Sequence, residues 1–415
     1  MEIITSKNLG KLLVNTLKLI DKRPMEHGVR VAYILLKMLQ CKGGYVEYEL
    51  AEYIILAVLH DIGAYKTEVI DNFVTYETKE VMAHSIYGSL FMRYLTPMKE
   101  KAKIILYHHI DYEKKKSIEY EYMNISDYLS FAERLDLHYN LIGPRFDYRV
   151  LDRYENKKYS SESISLFRQA QIKYDILGQL ESGKYVDEID QILNYILFND
   201  EEKKQYLEMM MYTIGFRSDY AVTDTVTTIC ICREIAAILK ISEEDSEKLY
   251  YATLLHDVGM LAVSPKILDA PRALTQEEIM KMRAHVSITE NLLKRFLDPE
   301  VVKIATAHHE RLDGSGYYKG LTDADMDMLQ KILQIADMVT GMINKRSYRK
   351  EKKKEYIIDV LEKEANSGKL SKIIVKIFIR NYDEIMSKVK NESNKILQIH
   401  TKLNTQYSLL YQNFY

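Results

Sequence analysis

The sequence predicts an all-α chain made of two copies of one helical unit, and three observations carry that expectation. Apolar residues recur at helical spacing along almost the whole chain. Proline is scarce, six residues in 415, with none between Pro144 and Pro265, so few points force a helix to stop. No stretch shows the convincing alternation of apolar and polar residues that a half-buried strand needs.

Taken in order, the first copy is expected at about 1–185. Within it, Thr96-Pro97 has the form of an N-cap followed by proline at the first helical position. A stretch at 186–204, acidic and lysine-rich around Asn199 to Lys204, is expected as an exposed helical linker. The second copy is expected at about 205–390. Ser242 can cap the helix that leads to His256, and Leu249 to Leu255 is apolar on nearly every side, as a well-buried helix requires. Thr275 and Glu278 have the spacing of a capping box, and Asp298-Pro299 opens a further helix. The remainder, 391–415, is a polar, tyrosine-rich tail with no readable chemistry.

Composition narrows the function classes. The length suits two domains of ordinary size, and 47% hydrophobic against 28% charged residues suits well-formed cores. With 58 basic and 60 acidic side chains the formal net charge is -2, which gives no general attraction to a nucleic-acid polymer or an anionic membrane. The start of the chain has no long apolar run behind a basic segment, and the apolar stretches are too short to span a bilayer. Cys41, Cys230 and Cys232 are too few and badly spaced for a disulfide framework. A cytoplasmic protein is the expectation.

The chemistry sits in an internal repeat. LHDIG, Leu59 to Gly63, recurs as LHDVG, Leu255 to Gly259, and YHH ending at His109 recurs as AHH ending at His309. The offsets, 196 residues at the His-Asp pair and 200 at the double histidine, are close enough to mean one unit written twice. Nine of the 11 histidines fall in matching order: His27, His60, His84, His108 and His109, then His256, His285, His308 and His309. A lone His-Asp dipeptide is ordinarily structural, and a histidine pair at a helix end ordinarily a cap. An ordered series repeated twice favours metal binding instead. Imidazoles with carboxylates suit iron, manganese or zinc, and Asp257 beside His256 could bridge two ions that activate water against a phosphoryl group.

On these residues the second copy resembles an HD-GYP domain, a branch of the HD phosphohydrolases, over about Tyr220 to Met386. The resemblance rests on HDVG at His256, the spaced His285, HHERLDGSGYYKGL from His308, IAD ending at Asp337, and KRSYR at Lys345 to Arg349. The first copy, about His27 to Phe167, is similar to a generic HD domain without the glycine-tyrosine loop. The resemblance implies two tandem HD-type helical bundles. It also implies two divalent metal ions, iron or manganese before zinc, and hydrolysis of a cyclic dinucleotide, cyclic di-GMP first. Carried over by position, the metal ligands are Asp224, His256, Asp257, His285, His308, His309 and Asp337, with His256 and Asp257 as the catalytic pair. Arg346 and Arg349 would grip the substrate phosphate, as a guanidinium fork can, joined by Arg311 and Tyr317. A second metal site would comprise His27, His60, Asp61, His84, His108, His109 and Glu133, with Asp136, one turn beyond Glu133, as an alternative ligand.

The second copy departs from the family's pattern at three points. Asp224 stands where the family has an early histidine, Met260 (Ala64 in the first copy) replaces the lysine after HDxG, and Tyr318 replaces the proline of GYP. Two other readings stay open on these grounds: a non-catalytic receptor or scaffold that binds metal and nucleotide, and an HD phosphohydrolase acting on another nucleotide or alarmone. A homodimer or a signalling partner protein fits either case.

Overall fold

The computed structural model describes residues 2–65, 81–215, 221–268, 270–344 and 352–414. Among them the regular structure is helical, with two isolated bridges and no strand. The expected all-α class holds. No helix of the described residues is long and apolar enough to cross a membrane.

The chain divides into two compact units. A C-terminal unit comprises Met1–Asn8 and Met210–Lys402; an N-terminal unit comprises Leu9–Met209 and Leu403–Tyr415. Both boundaries differ from those read in the sequence. Ile3 and Ile4 are buried and the Asp298 amide donates to the Ile3 carbonyl, so the first residues complete the C-terminal unit. The polar tail is the end of one helix, Tyr382–Phe414. Within the N-terminal unit, Tyr407 stacks on Tyr87 with ring centroids 4.2 Å apart. The expected exposed linker buries Ile189, Ile192, Leu193 and Ile196 in the N-terminal unit; its acidic and lysine residues around Asn199 open the next helix, Asp200–Gly215, where Lys203 is itself buried.

Five helices of each unit correspond in order. In the N-terminal unit they are α1 (Lys22–Lys42), α2 (Glu47–Val58), α3 (Val81–Leu95), α4 (Lys103–Tyr107) and α5 (Met123–Ile142). In the C-terminal unit they are α6 (Ala221–Ile238), α7 (Glu243–Leu255), α8 (His285–Leu293), α9 (Pro299–Ala305) and α10 (Met328–Ile343). The contacts match as well. α1 packs on α2 and α5, as α6 packs on α7 and α10, and α4 packs on α5 as α9 packs on α10.

Local chemistry sets the ends of these helices. Asp21 caps α1 by accepting from the Arg23 amide, and α1 and α5 stop at Gly43 and Gly143, both with positive φ. The expected caps at Ser242, Thr275 and Asp298 form, and Asp327 with Gln330 adds a capping box to α10. Thr96-Pro97 does not open a helix. The Thr96 hydroxyl accepts from the Met98 amide and donates to the Met92 carbonyl, closing α3, and α4 begins only at Lys103. Burial then fixes the helix faces: α10 turns Leu329, Ile332, Leu333, Ile335, Ala336 and Val339 inward, each large side chain contributing about 1.5–3 kcal/mol.

Candidate metal centres

In the C-terminal unit, His256 ends α7, His285 opens α8, His308 and His309 follow α9, and Asp337 lies inside α10. Packing brings their side chains together. Asp257 Oδ1 lies 3.3 Å from His285 Nε2 and 3.6 Å from His308 Nε2. His256 Nε2 lies 3.5 Å from Asp257 Oδ2 and 3.7 Å from Asp337 Oδ1, and His309 Nδ1 is 3.6 Å from Asp337 Oδ2. Asp257 therefore faces both halves of the cluster, the position expected of a bridging carboxylate.

The histidine tautomers follow from the backbone. His256, His285 and His308 each place Nδ1 2.7–2.8 Å from the carbonyl three residues earlier, of Thr253, Met282 and Ala305. A carbonyl can only accept, so Nδ1 carries the proton and Nε2 turns a lone pair into the cluster. That is the outer-shell arrangement that prepares imidazole for a metal. The electrostatics also call for a cation. Burial opposes charge on His256, yet the Asp257 and Asp337 carboxylates outweigh it and raise that imidazole to about 9. Burial would raise Asp337 too, but the neighbouring histidines, His256 first, bring it down to about 2. A divalent cation held among these donors would displace those protons.

This centre is open on one side. His256, His285 and His308 are buried, while the side chains of Asp257, Asp337 and His309 are 34%, 21% and 27% exposed.

The N-terminal unit repeats the cluster. Asp61 Oδ2 is 3.3 Å from His60 Nε2 and 3.9 Å from His27 Nε2, and Asp61 Oδ1 is 3.4 Å from His84 Nε2. Glu133 lies 3.8 Å from His108 Nε2 and 3.5 Å from His109 Nδ1, and His84 and His109 bring their Nε2 atoms to 2.7 Å. His60 and His108 use Nδ1 on the Ala57 and Ile105 carbonyls, as their C-terminal counterparts do. All seven residues proposed from the sequence converge. The choice left open between Glu133 and Asp136 resolves geometrically: Glu133 faces the cluster, while Asp136 accepts from His27 Nδ1 at 2.7 Å and from Arg30 at 2.7 and 3.0 Å, an outer-shell position.

Both His-Asp motifs need their glycine for close approach. A Cβ on Gly63 would lie 2.0 Å from the His84 carbonyl oxygen, and one on Gly259 would lie 2.1 Å from that of His285. The 3₁₀ turn after each His-Asp pair thus sits directly on the helix that carries the next histidine. In the C-terminal unit Thr289 Oγ1 ties the two, accepting from the Gly259 amide at 2.9 Å and donating to the His256 carbonyl at 3.1 Å.

The glycine-rich loop after His309 is held by Glu310, whose buried carboxylate accepts from the amides of Lys319 at 2.7 Å and Leu321 at 3.0 Å. Gly316 lies flat on the Glu310–Arg311 backbone, where a Cβ would come within 2.4 Å. This brings Tyr317 onto His309, stacked at 4.7 Å, with the Arg283 guanidinium 4.8 Å above the outer face of the tyrosine ring. Arg311 lies beside them, its Nη1 on the Glu310 carbonyl.

Of the other residues expected at the site, only Asp224 is among the described residues. Asp224 joins none of the donor groups among the described residues; its Oδ1 accepts from Asn344 Nδ2 at 2.6 Å. Arg346 and Arg349 lie outside the described residues. Sequence reasoning missed Arg283, two residues before His285, and the clamp made by Glu310. The acidic residue between the double histidine and the glycines was the available signal for the clamp; nothing marked Arg283.

The chain is similar to known HD-domain proteins. Two family models, both described as HD domain, match residues 25–132 and 208–371. The 3'3'-cGAMP-specific phosphodiesterase 1 of Vibrio cholerae is 24% identical over 377 residues, covering 86% of this chain and 87% of that protein. A cyclic di-GMP phosphodiesterase of Thermotoga maritima is 28% identical over 252 residues, 60% of this chain and 62% of that one. The crystal structure of a cyclic GMP-AMP specific phosphodiesterase of V. cholerae (V-cGAP3) superposes with a TM-score of 0.57 at 17% identity, covering 95% of this chain and 98% of that one, a likeness of fold.

Proposed function

The chain belongs to the HD domain family, two such domains in tandem with the second of HD-GYP type, and we propose that it is a metal-dependent phosphodiesterase that hydrolyses a cyclic dinucleotide in its C-terminal unit. The observation that carries this reading is the open centre: six donor residues converge there and its two carboxylates reach solvent, where a phosphodiester can approach. A pair of divalent cations, iron or manganese by the donor set, would supply Lewis acidity toward a phosphoryl oxygen and lower the pKa of water.

The chain's own residues divide the remaining work. His256, His285, His308, His309, Asp257 and Asp337 would hold the ions, with Asp257 within 3.6 Å of His256, His285 and His308. The Nδ1–H bonds to backbone carbonyls lock three of the rings in the coordinating orientation. Tyr317 covers one face of His309, and with the Arg283 guanidinium over its ring it walls one side of the centre. Arg283 and Arg311 bring positive charge to that wall, which offsets the lysine replaced by Met260. Arg346 and Arg349 are assigned to the substrate phosphates from the sequence pattern.

The experiment is direct. Full-length protein loaded anaerobically with Fe(II) or Mn(II) is incubated with cyclic di-GMP and with 3'3'-cGAMP, and products are followed by chromatography. Linear dinucleotide supports the proposal. Tight binding without product supports a receptor, and cleavage confined to mononucleotides or alarmones supports the wider HD group. Coverage of 86% by the 3'3'-cGAMP-specific relative favours the mixed dinucleotide as a second reading beside cyclic di-GMP. His285→Ala should lose metal and abolish hydrolysis with helicity retained; full metal and full activity in this variant would overturn the ligand assignment.

A further inference from the structure

The N-terminal unit holds the fuller donor set and yet is the closed one. Its seven donor side chains are at most 8% exposed, with His60 and His108 at 0% and Asp61 at 1%. The matching carboxylates Asp257 and Asp337 of the C-terminal centre are 34% and 21% exposed. A phosphodiester cannot approach donors that solvent does not reach.

The interior of this cluster is also unsatisfied. His27 Nε2, His60 Nε2, His108 Nε2, His109 Nδ1, both oxygens of Asp61 and Glu133 Oε2 are buried with no hydrogen-bond partner among the described residues. The equivalent atoms of the C-terminal cluster are not among the buried unpartnered ones. His60 and His108 spend their Nδ1 protons on carbonyls, so their Nε2 lone pairs face each other and the carboxylate oxygens. Lone pairs converging on a buried carboxylate repel, and a buried ionised group without partners is strongly disfavoured. A cation resolves both, since every one of these atoms is a metal donor of the imidazole or carboxylate type. The surrounding shell is built to hold them: Asp136 and Arg30 fix His27, and Ser130 Oγ donates to the His108 carbonyl.

We infer that the N-terminal centre is an enclosed, non-catalytic metal site that keeps divalent iron, manganese or zinc out of exchange with solvent and braces α1 to α5, while the open centre carries the turnover. The two centres then differ in access rather than in donor chemistry. The assignment of turnover to the open centre rests on the proposed function, whereas metal retention is read without hydrolysis, so the enclosure can fail while the activity stands.

The test is metal retention in the full-length chain. Protein produced with excess Mn(II) is passed into buffer with EDTA, and metal is followed by mass spectrometry over time. The wild type should lose one fraction quickly and keep a second at least tenfold longer. The slow fraction should persist in His285→Ala and vanish in His60→Ala and in the near-isosteric Glu133→Gln, with a lowered melting temperature. Circular dichroism at low temperature separates metal loss from failure to fold, and Glu133→Gln is the variant expected to fold. A wild type stripped in a single fast phase would overturn the enclosure. A slow fraction that survives in folded Glu133→Gln and is lost in His285→Ala would overturn the assignment of centres.

Discussion

Replacing Gly259 by alanine tests whether the His-Asp turn positions the catalytic cluster. The added Cβ would stand 2.1 Å from the His285 carbonyl oxygen and 2.8 Å from both N and Oγ1 of Thr289. Two of these three are backbone atoms at the start of α8, with no flexible side chain to swing aside. Real Cβ contacts stay above 3.0 Å, so the turn and α8 must part by about 0.9 Å. His285 Nε2 sits only 3.3 Å from Asp257 Oδ1, so a shift of that size opens the cluster between its bridging carboxylate and one imidazole. Overpacking of this kind costs about 1–3 kcal/mol of stability, and a misplacement of about 1 Å at a reacting centre can lower the rate ~10²-fold. The assay is steady-state hydrolysis of the active cyclic dinucleotide in excess Mn(II), with bound metal and thermal unfolding measured on the same sample. The expected result is a kcat about 100-fold lower, partial loss of metal and a folded protein. A Gly259→Ala variant with wild-type kcat and metal content would show that the close turn does not set His285.

Two further predictions address the loop and the N-terminal core. Glu310→Ala removes the acceptor for the Lys319 and Leu321 amides, so Tyr317 loses its fixed place over His309. With about 1.5–3 kcal/mol per charge-assisted hydrogen bond at stake, KM should rise on the order of tenfold with a smaller change in kcat; an unaltered KM would remove the loop from substrate binding. Lys115 is buried, its ammonium on Ser130 Oγ and the Ser126 carbonyl, and burial chiefly brings it from 10.5 down to about 8. Between those values the unfolded chain holds the proton and the folded chain does not, so stability rises with pH across that window. Denaturant titrations of wild type and Lys115→Met from pH 7.5 to 10.5 should show the wild type gaining on the variant by about 3 kcal/mol. Parallel curves would mean that Lys115 keeps its ordinary affinity for protons.

The proposed activity and the enclosed site give the tandem arrangement a division of labour. The donors are nearly the same in both units, so access is what separates them. In the C-terminal unit the carboxylates of Asp257 and Asp337 are 34% and 21% exposed. In the N-terminal unit the same positions lie under the surface. Under the proposed activity, Arg283 over Tyr317 would bring back part of the positive charge lost with the lysine replaced by Met260.

The sequence by itself determined the helical class, the repeat, the caps at Ser242, Thr275 and Asp298, and the residues that form both clusters apart from Asp224. These are legible because helix periodicity, cap chemistry and metal-donor residues are local, and because duplication at nearly constant offset marks the ones that matter. Tertiary structure decided what depends on neighbours far along the chain. Asp224 accepts from Asn344, Asp136 is spent on His27 and Arg30, and Arg283 comes to lie on Tyr317. It also decided that one centre is open and the other closed. Burial is a property of how helices pack, and two copies with the same donors in the same order can differ in it completely.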